Sequence, residues 1–257
     1  MSDSHAPSRR TLLVGSTAAA TGFLIPGLQA FGQSPKRVKA VAFDAFPVFD
    51  PRPIFALADQ LYPGKGNVLG DAWRTRQFEY CWLRALAGDY ADFWQVTADA
   101  LAFSVTRLDL NPDPKKQADL MQAYLNLGTW PEVPNALETL KKHGLKTAFL
   151  SNFTPAMLRA NMKKSKIEKL FDHVLSTDAV RSYKPDRRAY QQGIEAFGVP
   201  RDEIAFVAFA GWDAAGAKSF GYPTFWNNRL KLPPEQLGHT VDGSGAQLTD
   251  LLKFLRL

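Results

Sequence analysis

The chain has 257 residues, 46% hydrophobic and 22% charged, which excludes a disordered chain and supplies a core without disulfide or metal staples. A single cysteine, Cys81, excludes an intramolecular disulfide and any multi-thiolate zinc site; flanked by Tyr80 and Trp82, it reads as a packed helix-face thiol. The formal net charge is +6, but Arg9, Arg10, Lys36, Arg37 and Lys39 crowd the N-terminal end, and no basic run with interleaved aromatics argues for nucleic acid.

In chain order, residues 1–34 read as a targeting segment. Ser8, Arg9, Arg10, Thr11, Leu12 and Leu13 in succession resemble the twin-arginine export signal, and an apolar Ala/Gly/Thr-rich stretch follows to about Ala30. Gly15, Gly22, Pro26 and Gly27 make that stretch a poor membrane span. The expectation is a periplasmic protein with no stable membrane association after signal removal.

Residues 39–43 are a short apolar run ending at Asp44 and read as a buried strand. From 53 to about 124 the pattern is helical, with Trp73, Phe78, Tyr80, Trp82, Phe93 and Trp94 at helical spacing. Asn111, Pro112 and Asp113 give a helix-start signal inside it. Further strands are predicted at 145–150, 174–176, 204–209 and 223–226, and helices at 136–142, 155–164, 190–197 and 214–220. Strands alternating with helices imply a parallel sheet with right-handed crossovers. The long strandless stretch predicts an inserted helical cap over 55–130. The α/β core, a doubly wound parallel sheet, takes 38–54 and 131–257.

In such a sheet, ligands bind beyond the carboxyl ends of the strands. The residues found there are Asp44, Ser151 with Asn152, Lys184 and Asp213. Singly each has an ordinary explanation: a turn cap, a helix cap, a solvated ammonium. Together at one edge they form a candidate site. An aspartate nucleophile can form a covalent ester, and a second carboxylate can activate the water that hydrolyses it. A lysine beside the nucleophile offsets its charge and steadies an anionic substrate. No cofactor is needed.

These residues are also the motif set of the haloacid dehalogenase superfamily, and the chain resembles the type II (S)-2-haloacid dehalogenases over nearly its whole mature length. The resemblance is densest from Asp71 to Arg84 and continues from Asp92 to Thr97. It implies conversion of short 2-haloalkanoic acids to 2-hydroxy acids through an aspartyl ester on Asp44. By the same resemblance Arg74 and Asn152 accept the halide, Ser151 and Lys184 position the carboxylates, Asp213 helps activate water, and Tyr190 follows the lysine by six residues as in the family. Phe93 and Trp212 line an apolar pocket, Phe46 stands where the family has tyrosine, and a homodimer is expected.

The chain departs from the family at two motifs. Asp44, Ala45, Phe46, Pro47, Val48, Phe49 and Asp50 form a segment one residue shorter than the family's and without its threonine hydroxyl. Ala208 and Ala210 stand where the family has serine and asparagine. A hydrogen bond to a charged group contributes roughly 1.5–3 kcal/mol, so the loss of several predicts a drier pocket for a smaller or more apolar substrate. Two other readings stay open: a binding protein that kept the fold, and a phosphatase. Phe46 speaks against the latter, and against a metal, because superfamily phosphatases carry a second aspartate there.

Overall fold

Strand β1 (Ala40–Phe43) is buried along its whole length, and the period of two divides its side chains between the faces of the sheet. Val41 and Phe43 join one apolar cluster, Ala40 and Ala42 the other. The computed structural model describes residues 37–257, so the signal read over 1–34 lies outside the described residues. The sheet has six strands in the order β3-β2-β1-β4-β5-β6, all parallel, completed by β2 (Lys146–Ser151), β3 (His173–Ser176), β4 (Ile204–Ala208), β5 (Thr224–Asn227) and β6 (Gly243–Gly245). Connectivity reverses direction at β1 and β4, which opens a crevice at their carboxyl ends, where doubly wound folds place ligands.

Four helices fill the strandless stretch: α1 (Arg52–Leu61), α2 (Gly66–Ala87), α3 (Phe93–Arg107) and α4 (Pro114–Ala123). Their starts are written locally. Asp92 caps α3 by accepting from the Gln95 amide, and Asp113 caps α4 by accepting from Lys115 and Lys116. At Gly66 a Cβ would lie 2.1 Å from the Asp59 Cα, so only glycine lets α2 start against α1. Cys81 is fully buried on α2, as expected, and burial pushes its thiol pKa up.

The chain leaves and re-enters the sheet region through two paired segments. Phe49 bridges Thr129 in antiparallel sense, Asp50 N–H donates to Gly128 O and Trp130 N–H to Val48 O. The helices are also tied to the loop after β3, where Trp82 Nε1 donates to Lys184 O at 3.1 Å, Tyr90 donates to Asp178, and Tyr183 donates to Ala91 O. These bonds help hold the described residues in a single compact unit.

The remaining helices are α5 (Val133–Lys142), α6 (Pro155–Ser165), α7 (Arg187–Phe197), α8 (Gly211–Phe220) and α9 (Leu248–Phe254). Helices α7 and α8 cover the Ala40/Ala42 face, while α5, α6 and α9 contribute to the other core. Both α7 and α8 begin three residues earlier than the sequence predicts, α7 because Asp186 caps it through the Arg188 amide. Neither β6 nor α9 is predicted, since Gly-Ser-Gly has no strand propensity. Gly243 is required there: a Cβ would meet Phe254 at 2.6 Å.

Candidate active site

Asp44 is the first residue after β1, and its amide still donates to Val207 O of β4, which fixes the carboxylate at the crevice mouth. Two donors converge on one of its oxygens: Lys184 Nζ at 2.8 Å and Ser151 Oγ at 3.2 Å from Oδ1. Oδ2 accepts no hydrogen bond from any described residue. Lys184 also reaches Asp213 Oδ2 at 2.6 Å, so one ammonium bridges two carboxylates. The side chains of Lys184 and Asp213 are 1% and 2% exposed and that of Asp44 is 15% exposed, which makes Asp44 the member open to a ligand.

The electrostatics follow from this burial. Desolvation pushes Asp213 up to about 6, against the pull of Lys184, with the charge of Asp44 adding to the rise. Burial alone would lower the Lys184 pKa, but the attraction of Asp213 and Asp44 outweighs it and the net shift is upward. Burial and Asp213 push the Tyr190 phenol well above its ordinary value, keeping it a donor.

Asn152 sits beside Ser151 at the end of β2. Its Oδ1 accepts from the Lys184 backbone N–H at 3.1 Å and from Thr177 Oγ1 at 3.3 Å. A backbone N–H can only donate, so the amide orientation is set and Nδ2 is left for a ligand. Across the crevice, Arg74, Phe78 and Trp82 lie four residues apart on α2 and share a face. All three line the cavity, and Arg74 has no carboxylate partner among the described residues. Trp212 packs edge-on against Phe78 and Trp82, with ring centroids at 5.1 and 5.4 Å. Phe93 stacks on Phe153 at 5.4 Å, and Phe46 contacts Phe153 and Phe209.

Asp44, Ser151, Asn152, Asp213, Arg74, Phe46, Phe93 and Trp212 therefore line one cavity of about 950 Å³. Lys184 lies beneath it. Tyr190 requires a correction: it is expected among the substrate-binding residues, but it does not line the cavity, and its hydroxyl donates to Asp213 Oδ1 at 2.8 Å. It is a positioning residue for Asp213. The six-residue spacing from Lys184 places it on α7, facing α8 rather than the crevice.

Several contributors escape a sequence reading. Gln77 and Tyr124 line the cavity, and Gln77 Nε2 donates to Thr97 Oγ1 and Tyr124 OH, tying α2 to α3 and to the end of α4. Arg229 pairs with Glu132 and donates to Pro47 O at 3.3 Å, while Trp130 Nε1 donates to Phe46 O at 2.9 Å. The guanidinium of Arg229 lies 4.2 Å from the Trp130 ring centroid. The backbone after the nucleophile, where Pro47 has no N–H to offer, is thus held by its carbonyls. Arg229 lies two residues past the end of β5, so the strand-end rule that finds the other residues also points to it.

Chemically, the site offers a carboxylate with one free oxygen, a second carboxylate of raised pKa, and an arginine and an amide facing them across apolar walls. Among the described residues no group of three or more His, Cys, Asp or Glu side chains is placed to hold a metal ion. The model of the haloacid dehalogenase-like hydrolases matches residues 29–221. The (S)-2-haloacid dehalogenase of Pseudomonas sp. strain YL is 41% identical over 206 residues, spanning 80% of this chain and 89% of its own. The L-2-haloacid dehalogenase RSc1362 superimposes with a TM-score of 0.85 at 44% identity, covering 86% of this chain and 100% of that one. The Xanthobacter autotrophicus L-2-haloacid dehalogenase, with chloropropionic acid covalently bound, matches at a TM-score of 0.79 and 35% identity over 85% of this chain and 98% of its own. With its strand-end residues gathered at one crevice and these relatives spanning nearly all of their own length, the chain belongs to the haloacid dehalogenase-like hydrolase family.

Proposed function

We propose that this hydrolase displaces halide from 2-haloalkanoic acids and releases 2-hydroxy acids through an ester on Asp44. The observation that carries the reading is the asymmetry of the Asp44 carboxylate, whose Oδ1 is tied to Lys184 and Ser151 while Oδ2 accepts no hydrogen bond from any described residue. Oδ2 attacks the halogen-bearing carbon from the side opposite the halogen. The carbon–oxygen bond forms as the carbon–halogen bond breaks, and the halide leaves with the electron pair toward Arg74 and the Asn152 amide. Configuration at the carbon inverts.

Water then adds to the ester carbonyl carbon, passing its proton to Asp213. Oδ1 is now the carbonyl oxygen, so the two donors already on it stabilise the negative charge that develops. Collapse breaks the bond between the carboxyl carbon and Oδ2, and the departing oxygen takes the proton back from Asp213. The hydroxy acid leaves carrying Oδ2, while the restored Asp44 carboxyl group gives up its remaining proton to solvent. Phe46 supplies no acid at the position where a phosphatase needs one. The covalently bound chloropropionic acid in the Xanthobacter autotrophicus relative supports the ester.

The test is halide release from (S)- and (R)-2-chloropropionate as a function of pH. Release from the (S) acid with formation of (R)-lactate is expected, and no release from either contradicts the reading. Asp213 works as a base only when ionised, and its pKa lies at about 6. Ester hydrolysis therefore falls on acidification, at a pH below that value because the esterified Asp44 no longer carries the charge that adds to the rise.

Export to the periplasm by the twin-arginine route belongs to the same proposal and is supported by Arg9 and Arg10 with the apolar stretch after them. A homodimer built on the inserted helices is supported by the exposed Leu83 and Leu86 of α2 and Phe103 of α3.

A further inference from the structure

We infer that the preferred substrate carries a bulky apolar substituent on its halogen-bearing carbon, the size of a phenyl ring or a butyl chain, rather than a hydrogen or a methyl group. The inference rests on the hydrolytic reading above and names its substrate class. The first observation is space. The cavity of about 950 Å³ would hold roughly thirty water molecules, and a propionate-sized acid displaces only a handful.

The second observation is the chemistry of the walls. Phe153 follows Ser151 and Asn152 directly, and Phe209 lies between the two motif alanines, Ala208 and Ala210. Both rings contact Phe46, at centroid distances of 5.3 and 5.7 Å, so aromatic carbon replaces hydroxyl and amide groups beside the nucleophile. Beyond them the same cavity is lined by Ile54, Phe55 and Trp130 and is rimmed by Leu230 and Leu232, which are 53% and 48% exposed. Exposed leucines at the mouth of an aromatic cavity gain from an apolar ligand that covers them.

The third observation is how few polar groups remain beside the nucleophile. Ser151, Lys184, Asp213, Tyr190 and Gln77 bond one another or Asp44, Thr97 and Tyr124. Near the nucleophile that leaves Arg74 and the Asn152 amide, enough for a carboxylate and a halide. Farther along the cavity Arg52 is paired with Asp50 and Arg229 with Glu132, while the part beside Phe46 is walled by aromatic rings that hold water poorly. A small acid leaves that water in place, whereas a larger side chain expels it. Each methylene so buried strengthens binding by roughly fourfold.

The experiment is kcat/KM for halide release along the series chloroacetate, 2-chloropropionate, 2-chlorohexanoate and 2-chloro-3-phenylpropionate. The expected result is a rise of roughly tenfold or more from 2-chloropropionate to either of the last two. A maximum at chloroacetate or 2-chloropropionate, or a flat series, overturns the inference. Silence with every acid would contradict the hydrolytic reading instead. The pocket claim is then decided by Asp44→Asn protein titrated with propionate and 3-phenylpropionate, read by tryptophan fluorescence. Binding of the aryl acid at least tenfold tighter upholds the inference, and equal binding overturns it.

Discussion

Substitution of Asp44 by asparagine is expected to lower halide release by about four to six orders of magnitude while leaving the fold intact, as loss of an activated nucleophile does elsewhere. The amide keeps an oxygen acceptor where Oδ1 receives Lys184 and Ser151, so the local geometry survives. What it removes is the free anionic oxygen that attacks carbon. Lys184 keeps its second carboxylate, Asp213, and is not left unpaired. The assay is ion-chromatographic halide release alongside thermal melting. Retained activity with a retained melting temperature would show that water attacks the substrate directly.

Replacing Lys184 by methionine is expected to disable both the enzyme and its stability. The ammonium is 1% exposed and bridges Asp44 and Asp213, so its removal leaves two carboxylates facing each other with no positive charge between them. Breaking a buried ion pair from one side costs about 3–5 kcal/mol. At about 2–4 °C per kcal/mol for a domain of this size, the melting temperature falls by about 6–20 °C at neutral pH. Without the lysine the pair takes up a proton in the folded state, which raises its folded pKa above the unfolded value. Stability from that protonation is present at low pH and lost as pH rises, so the deficit of the variant shrinks on acidification. Melting wild type and variant at pH 5 and pH 8 checks this; an equal deficit at both would contradict it.

The fold and the grouping of the candidate site residues were legible because both rest on short-range signals. Apolar runs ending in Asp44, Ser151 and Asp213 specify strands or strand-to-helix turns, and a parallel sheet brings their ends to one edge. Asp92 and Asp113 mark their helices by capping chemistry that acts over two or three residues. The spacing of Arg74, Phe78 and Trp82 puts them on one face before any partner is known.

Pairings across the fold carry no such mark. Glu132 and Arg229 meet from positions 97 residues apart, and nothing local to either shows that together they brace Pro47. The role of Tyr190 depended on how α7 faces α8, which the lysine–tyrosine spacing does not encode. The edge strand β6 is set by its neighbours, Phe254 and β5, rather than by its own Gly-Ser-Gly composition. The lost threonine, serine and asparagine were visible as a shortened first motif and as Ala208 and Ala210. That Phe153 and Phe209 close around Phe46 depends on packing between distant segments, which no local pattern encodes.

The central claim is that Asp44, and not water, attacks the substrate. A single turnover in oxygen-18 water, with enzyme in excess over (S)-2-chloropropionate, tests it most directly. The ester mechanism places the label in the Asp44 carboxylate and leaves the first lactate unlabelled. Label in the lactate of that first turnover, with none on Asp44, would contradict it.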